Sequence, residues 1–259
     1  MKNHTFNEIW IRRSLIFNMA LGDLKLRYRN SVLGFFWSFL EPLLIMTVLY
    51  IVFSNIFKAD IELFPLYLLL GLIMWNMFSR GTTMGLDSII GKAGLVGQTY
   101  LPREVVVISA VLTSFIMMLL ELVVFSIFML AFQVFPTITL IMFPLMIILI
   151  FLITLGMSFA LSVLNVYYRD LRSIWNVVMT AGFFATPIIY SLDVLPEKIR
   201  FIISLNPIVP ILEISRGATI YNYWHEGFEI IYLLIITLVV LVGGYAVFKK
   251  MDKKIVEEL

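Results

Sequence analysis

Three acidic side chains stand inside apolar runs of the sequence, namely Glu41, Asp87 and Glu121. An ionised carboxylate costs about 2.5–3.5 kcal/mol or more inside a membrane helix, so such residues face other helices or water. They are therefore candidates for an acid/base site or for a place on a transport pathway. For Glu121 two roles stay open: a hydrogen bond between helices, and a position on such a pathway.

Arg80 is a basic residue inside the second apolar run. Asp87 follows it by seven residues on the same helix face, roughly 10 Å farther along the axis, which is too far for a direct ion pair. Glu121 would lie about 26 Å from the start of its own helix, whereas Arg80 is shallower. The sequence therefore predicts that Arg80 and Glu121 do not pair.

The sequence offers no site for nucleotide or metal. Its nearest approach to a phosphate-binding loop is GLDSIIGKA at residues 85–93. A Walker loop has four residues between its glycines and a Ser or Thr after the Lys, whereas here there are five and Ala93 follows. There is no cysteine, and His4 and His225 are expected on opposite sides of a membrane. Any use of ATP must therefore come from a partner chain.

The composition is that of an integral membrane protein. Of 259 residues, 61% are hydrophobic and 14% are charged, whereas a soluble domain has about 25% charged residues. Several apolar stretches reach the roughly 20 residues that a helix needs to cross a bilayer. We therefore expect an all-α polytopic fold in a single transmembrane domain. No cleavable signal peptide is expected, so the first membrane helix would serve as the insertion signal.

Hydropathy predicts six membrane spans. Pro42 and Pro187 lie within the first and the fifth, and each lacks a backbone N–H, so a bend is expected at both. The six predicted spans are at about residues 33–57, 64–89, 104–133, 138–165, 174–191 and 228–248.

The basic residues predict the orientation. Most of the Lys and Arg residues fall on the side of the two termini, and four fall on the opposite side, at Lys58, Lys198, Arg200 and Arg216. Because cytoplasmic loops are enriched in Lys and Arg, both termini are expected in the cytoplasm. That arrangement requires an even number of spans, which six satisfies.

Outside the spans, the chain divides into three kinds of segment. Residues 1–32 are expected to form an amphipathic interface helix, with Phe17, Ala20 and Leu24 recurring at helical spacing. It could serve as an anchor alone or also contact a partner. The remaining segments are a Gly-rich cytoplasmic loop with a short helix at 91–103, two apolar runs within 194–220 and a cytoplasmic tail at 251–259, leaving 33–250 as the transmembrane domain.

The two apolar runs within 194–220 are each too short to cross a bilayer. Prolines separate them, yet they are too apolar for a free loop, so we expect short re-entrant or interfacial helices packed on the bundle. Aromatic residues are abundant throughout the chain. They fit either an interface belt or a passage where rings stack on sugars, and the sequence does not divide the two sets.

Five segments together resemble a known family. They resemble the membrane subunit of type-2 ABC exporters that move lipid-linked polysaccharides, such as the O-antigen and teichoic-acid export permeases. The segments occur in the same order as in that family and have the same hydropathy. The segments are LKLRYRNSVLGFFWSFLEPLL (24–44), TYLPREVVVISAVL (99–112), LNVYYRDLRSIW (164–175), FFATPIIYS (183–191) and NPIVPILEISRG (206–217).

The resemblance implies a transporter subunit and not an enzyme. It implies a homodimer in the cytoplasmic (inner) membrane of a bacterium or archaeon, with two copies of an ABC nucleotide-binding subunit docked below. ATP and Mg would be bound by that partner, and this chain would hold no cofactor. The substrate would be a lipid-linked glycan, membrane lipids would surround the chain, and no nucleic acid is implied.

The resemblance also implies roles for individual residues. Glu41 departs from the family pattern, where a neutral residue such as Asn is expected before Pro42. The implied roles are contact with the ATPase for Gly97, Gln98, Thr99, Tyr100, Pro102, Arg103 and Glu104, the interface helix for Arg27, Tyr28 and Arg29, the channel lining for Trp37, Trp75, Phe183 and Tyr190, and the external gate for Asn206, Pro207, Glu213 and Arg216.

The sequence leaves four alternative functions open. One is a teichoic-acid or capsule exporter of the same family, and another is a type-2 ABC exporter of a drug or small lipid. A third is a membrane enzyme of lipid-linked sugar assembly, for which Glu121 or Asp87 would carry the chemistry. The fourth is an ion-coupled carrier, although the absence of a clear internal repeat weakens it.

Overall fold

The computed structural model of the chain describes residues 10–27, 29, 31, 33–55, 61–94, 102–224 and 227–252. Those residues form nine α-helices and no strand, which confirms the all-α prediction. The helices are α1 Arg13–Arg27, α2 Trp37–Asn55, α3 Phe64–Gly91, α4 Arg103–Ala131, α5 Phe143–Tyr167, α6 Leu171–Ala185, α7 Glu197–Ser204, α8 Ile208–Arg216 and α9 Gly227–Asp252.

Short turns of tighter or wider helix extend three of these elements. A 3-10 turn at Gly34–Phe36 precedes α2, and another at Ile138–Met142 precedes α5. A π-helical turn at Gly217–Tyr221 follows α8. The helix bounds lie within a few residues of the predicted spans because the apolar runs are long and their ends are marked by polar residues, Gly or Pro.

Fewer helices are long and apolar enough to cross a membrane than the six spans that the sequence predicts. Within the described residues, four helices are long and apolar enough to span, or five if α7 and the helix from Ile208 to Tyr221, which meet at 101°, count as one. The second predicted span, α3, is long enough, but Asn76 and Arg80 make it less apolar. The fifth, α6, has only 15 residues. Six crossings therefore stay a prediction.

The two predicted proline bends have different outcomes. Pro42 lies inside α2, which continues through it to Asn55. At the other site, α6 ends at Ala185, and Thr186 and Pro187 stand outside the helix. The residue before a proline is disfavoured in the α region, and Thr186 is indeed extended, with a ψ of 138°.

The central element of the bundle is α3. It packs along α4 and α5, and α2, α6 and α8 also contact it. Small side chains bring α3 and α5 together: a Cβ atom on Gly85 would lie 2.3 Å from Ser158, and one on Gly81 would lie 2.5 Å from Thr154. Small residues four apart allow close helix approach in membranes, where hydrophobic association between helices is weak.

Two glycines bring α5 and α9 into close contact. A Cβ atom on Gly244 would lie 1.9 Å from the carbonyl oxygen of Gly156, and a Cβ atom on Gly156 would meet the backbone of Leu241 at 2.7 Å. Most of the rest of α9 faces outward, with few buried side chains. The position of α9 in the bundle therefore depends on this contact.

Replacing Gly244 by Ala should separate α9 from α5, because the new methyl group would meet backbone and not a side chain that can move. Overpacking of this kind costs about 1–3 kcal/mol, so we expect a lower melting temperature for the purified protein in detergent. Gly243→Ala is the matched control, since a Cβ atom there meets nothing within 4 Å. Equal melting temperatures for the two variants would contradict the contact.

Candidate functional site

A buried ion pair joins α3 to α4. Arg80 Nη2 lies 2.9 Å from Glu121 Oε1, and Arg80 Nε donates to Ser114 Oγ at 3.4 Å. The Ser114 hydroxyl in turn donates to the carbonyl of Met77 at 3.3 Å. The expectation that Arg80 and Glu121 do not pair is therefore wrong.

The pair forms because of the direction in which helical side chains lean. Each Cα–Cβ bond tilts toward the N-terminus of its own helix. Since α3 and α4 are consecutive and run in opposite directions, Arg80 and Glu121 lean toward each other. The long Arg80 side chain spans the remaining distance along the bundle axis. A count of helical rise per residue does not include this reach of the side chain.

Asp87 has a separate partner on α6. Its Oδ2 lies 3.4 Å from Arg172 Nη2, and both side chains are partly exposed. Arg80 and Asp87 thus take different partners, as their spacing predicts. Within the described residues, no group of three or more His, Asp or Glu side chains could hold a metal ion. Glu121 lies in a contact between the helices α3 and α4, and a position on a transport pathway stays a prediction.

The most elaborate polar site surrounds Arg216, at the end of α8. Its guanidinium is buried, with 1% of the side chain exposed. Nη1 donates to the carbonyl of Pro187 at 2.7 Å and to Glu213 Oε1 at 2.8 Å, while Nη2 donates to the carbonyls of Tyr67 and Ile188 at 3.3 Å each. The guanidinium carbon also lies 3.3 Å from the ring centroid of Tyr67. This one side chain joins α3, α8 and the backbone after α6.

The break after α6 is held from two further directions. The Tyr67 hydroxyl lies 2.7 Å from the carbonyl oxygen of Tyr190, to which it donates. Asn206, just before Pro207 and α8, donates its amide N–H to Thr186 Oγ1 at 3.2 Å. Its own Oδ1 accepts the backbone N–H of Ile208 at 3.1 Å. Three of the four predicted gate residues, Asn206, Glu213 and Arg216, therefore meet in one hydrogen-bonded assembly.

Tyr223 lies beyond the π-helical turn, in the connection to α9. Burial, together with the nearby carboxylates of Glu213 and Glu229, raises the pKa of Tyr223 to about 12. Its phenol therefore keeps its proton up to a higher pH than an ordinary tyrosine does. This keeps a neutral side chain beside the Glu213 carboxylate.

At the opposite end of the bundle, the start of α4 is joined to the end of α9. Arg103 Nη1 donates to both the backbone oxygen and Oδ1 of Asp252 at 2.5 Å. Glu104 pairs with Lys249. The Tyr167 hydroxyl, from α5, donates to the carbonyl of Met251 at 3.0 Å. Pro102 precedes α4 directly.

The other residues predicted to contact the ATPase lie outside the described residues, as does Tyr28. They are Gly97, Gln98, Thr99 and Tyr100. Arg27 is the last residue of α1, and its side chain is exposed, like that of Arg29. Lys92, one residue after α3, pairs with Asp23 of α1 at 2.6 Å. The segment at 91–103 therefore begins at a contact with α1 and ends at a contact with α9.

The inner face of α1 differs from the predicted one by one residue. Ile16, Ala20 and Leu24 are buried, whereas Phe17 is 51% exposed. The Thr113 hydroxyl of α4 lies 3.3 Å from the carbonyl oxygen of Ala20. The spacing of four residues is thus the one that packs on α4, and Phe17 points away from it.

The four aromatic residues proposed for a channel lining occupy different environments. Trp37 is 41% exposed at the start of α2, whereas Trp75 is buried in α3. Trp75 packs edge-on against Phe183 of α6 at 6.2 Å between centroids. The Tyr190 hydroxyl donates to the carbonyl of Phe184 at 3.2 Å. Trp37 and the partly buried Phe183 and Tyr190 therefore offer polar or open surface, whereas Trp75 would have to change its packing to do so.

Several residues of these sites carry no signal in the sequence. Ser114, Lys249 and Asp252 acquire their roles only through partners that lie far away in the chain. Tyr67 resembles any aromatic residue in an apolar helix. The polar face of α3 does have a signal, because its members recur three, four, seven and eleven residues after the first: Asn76, Ser79, Arg80, Thr83 and Asp87.

Replacing Arg216 by Met should destabilise the protein strongly. It removes the donors to three carbonyls and the contact with the Glu213 carboxylate, and breaking a buried pair in this way costs about 3–5 kcal/mol. We expect poor folding or a large fall in melting temperature in detergent. Arg200→Met on α7 is the control, since Arg200 is 43% exposed and lies 3.6 Å from Asp193, a contact worth about 0–1 kcal/mol. Similar losses for both would contradict the assignment.

Comparison with known proteins agrees with this architecture. The chain is 29% identical to the O-antigen export system permease protein RfbA of Myxococcus xanthus, over 97% of this chain and 98% of that protein. It is 31% identical to RfbA of Klebsiella pneumoniae, over 92% of each chain. The polysialic acid transport protein KpsM of Escherichia coli is 24% identical over 91% of this chain and 92% of its own length.

The matched family region is continuous. It covers residues 15–220, from α1 through the break after α6 to the π-helical turn, and so includes the ion pair of Arg80 and the Arg216 assembly. The chain belongs to the ABC-2 type transporter family.

Proposed function

We propose that this chain is the permease subunit of an ATP-driven exporter that carries a lipid-linked polysaccharide from the cytoplasmic leaflet to the outer face of a bacterial or archaeal cytoplasmic membrane. The observation that carries the proposal is similarity over nearly the whole chain to permeases named for O-antigen and polysialic acid. None of these three relatives is named for a drug or a small lipid, so polysaccharide is the favoured substrate class.

ATP would be bound and hydrolysed, with Mg, by a separate nucleotide-binding subunit present in two copies. The sequence of this chain has no phosphate-binding loop, so it cannot supply that site. Two copies of the chain would form the passage, with both termini in the cytoplasm. In this arrangement the segment from Gly91 to Arg103 faces the ATPase, and Tyr100 and Arg103 are its proposed contact residues.

A push on this segment would reach three helices at once. Arg103 and Glu104 are the first two residues of α4. Arg103 is joined to the end of α9 through Asp252, and Glu104 through Lys249. Lys92, at the other end of the segment, is joined to α1 through Asp23. Closure of the ATPase dimer would therefore move α1, α4 and α9 together at their cytoplasmic ends.

The passage would be lined by Trp37, Phe183 and Tyr190. Trp75 would pack against Phe183 on the side away from the passage. Aromatic rings stack on the apolar faces of sugars while leaving the hydroxyl groups free, which permits a polymer to slide. The outer end would be closed by α7 and α8, held by Asn206, Glu213 and Arg216. Arg27, Tyr28 and Arg29 would lie at the membrane surface beside the ATPase.

Export itself tests the proposed function. Deleting the gene should stop long glycan from reaching the cell surface, with lipid-linked glycan accumulating inside, and the restored gene should reverse both effects. Purified chain alone should hydrolyse no ATP, whereas membranes that also contain the nucleotide-binding subunit should move glycan only with ATP. Transport by the isolated chain without ATP would contradict the proposal and favour an ion-coupled carrier.

Replacing Tyr100 or Arg103 by Ala should uncouple hydrolysis from export. The ATPase would still turn over, while glycan exported per ATP would fall about tenfold, which corresponds to roughly 1.4 kcal/mol of lost coupling. Arg169→Ala is the matched control, an exposed arginine between α5 and α6. The measurement is export and phosphate release in the same vesicles. A normal ratio in both variants would show that the coupling contact lies elsewhere.

A further inference from the structure

One face of α3 is polar along the half of the helix that ends at Gly91. Asn76, Ser79, Arg80, Thr83 and Asp87 are all partly exposed, whereas most of the residues between them are buried. From Asn76 to Asp87 this face extends about 16 Å along the axis. A helix in the middle of a membrane bundle therefore presents hydrogen-bonding groups along a continuous line.

A pocket of about 270 Å³ opens over this line. Its walls come from three helices: Arg27 ends α1, Glu41 belongs to the first turns of α2, and the remaining residues belong to α3. From α3 the lining residues are Asn76, Ser79, Arg80, Thr83 and Met84. Lipid tails cannot hydrogen-bond such groups, so the pocket holds water or a hydrophilic ligand.

The charges around the pocket balance. Arg27 and Arg80 are opposed by Glu41 and Glu121, and the Arg80 guanidinium is already bonded to Glu121 at 2.9 Å. A phosphate entering the pocket would meet the Glu41 carboxylate, and of the two lining arginines Arg80 is already paired, which leaves Arg27 as its cationic contact. A neutral ligand whose groups both donate and accept hydrogen bonds matches the lining better than a phosphate does, because the lining offers one amide, two hydroxyls and a carboxylate.

We propose that this pocket binds uncharged, hydroxyl-rich sugar units of the glycan as it enters the protein. The inference rests on the proposed function and assigns its substrate contact to the polar face of α3 and not to aromatic residues alone. Glu41 accepts from sugar hydroxyls, the Asn76 amide donates and accepts, and Ser79 and Thr83 add weaker contacts. The pocket is slightly smaller than most ligand sites, which span about 300–1,000 Å³, so it holds a short stretch of polymer and lets it slide.

Photocrosslinking in the assembled permease–ATPase complex tests this assignment. A photoreactive residue replaces Thr83 in one variant and Val239, on the exposed face of α9, in the control. The probe is a radiolabelled polyprenyl-diphosphate-linked mannose polymer. We expect labelling from position 83 that free mannose oligomers suppress, and at least fivefold less labelling from position 239.

Three other outcomes overturn the inference. Suppression by sugar-free polyprenyl diphosphate, and not by mannose oligomers, would make the pocket a phosphate site. Equal labelling from both positions, or none, in a complex whose wild type exports the polymer with ATP would refute the pocket and leave the proposed function intact. A wild-type complex that moves no glycan would refute both together.

A second measurement avoids the bulky photoreactive group. Ser79→Ala combined with Thr83→Val removes two hydroxyls with little change of shape, and two lost hydrogen bonds correspond to about a tenfold rise in the half-saturating glycan concentration. Thr47→Val is the matched control, because Thr47 is exposed on α2 outside the pocket lining. Like the Thr83 hydroxyl, which donates to the carbonyl of Ser79 at 2.8 Å, the Thr47 hydroxyl donates to a carbonyl of its own helix, that of Leu43, at 2.7 Å. An unchanged half-saturating concentration in the double variant would overturn the inference.

The balance of charge is tested by Glu41→Gln. That change leaves one excess positive charge, so binding of a glycan with a carboxylate on each sugar should rise at least fivefold relative to the neutral polymer. Glu197→Gln, an exposed carboxylate on α7, is the control. An unchanged ratio for Glu41→Gln would show that the glycan does not pass this side chain.

Discussion

A hydrocarbon environment offers no hydrogen-bond partner, so every polar group that this chain places there needs a partner within the protein. The Arg216 guanidinium shows how far this constraint shapes the fold. Thr186 and Pro187 end α6, and a broken helix leaves carbonyl oxygens without their helical donors. Arg216 supplies donors to Pro187 and Ile188 of that segment. The buried Arg216 guanidinium, together with the Tyr67 hydroxyl and the Asn206 amide, therefore allows the short helices α7 and α8 to fold back.

The same constraint explains why α3 is the centre of the bundle. Polar contacts leave it at three levels: Tyr67 toward Arg216, Arg80 toward Glu121, and Asp87 toward Arg172. Between these levels, glycines and small hydroxyl side chains bring α5 into close contact. A helix that is fixed at both ends and in the middle cannot slide past its neighbours without breaking a buried contact. It is thus a rigid element against which other helices can move.

The sequence predicts those features that depend on length and local chemistry. Apolar runs place most helices within a few residues, and the prolines within 194–220 identify a sharply bent pair of short helices. Pro187 predicts a break, although the sequence places it inside a span at 174–191 and the helix ends before it, at Ala185. It does not predict the partner of Arg80, because depth along an axis omits the lean of long side chains toward the N-terminus. It also misses the contacts of Arg103 and Glu104 with α9, since no local pattern relates residues that lie about 145 positions apart.

The polar contacts differ in strength in a way that indicates where the protein can move. Arg216 is 1% exposed, and breaking such a pair costs about 3–5 kcal/mol. At the other end, Arg103 and Asp252 are 16% and 23% exposed and Asp87 and Arg172 are 33% and 63% exposed, and water can replace part of each contact. Rearrangement is therefore least costly at the end that carries residues 91–103. A force applied there would change that end of the bundle first, while the Arg216 assembly keeps the opposite end in place until the helices themselves tilt.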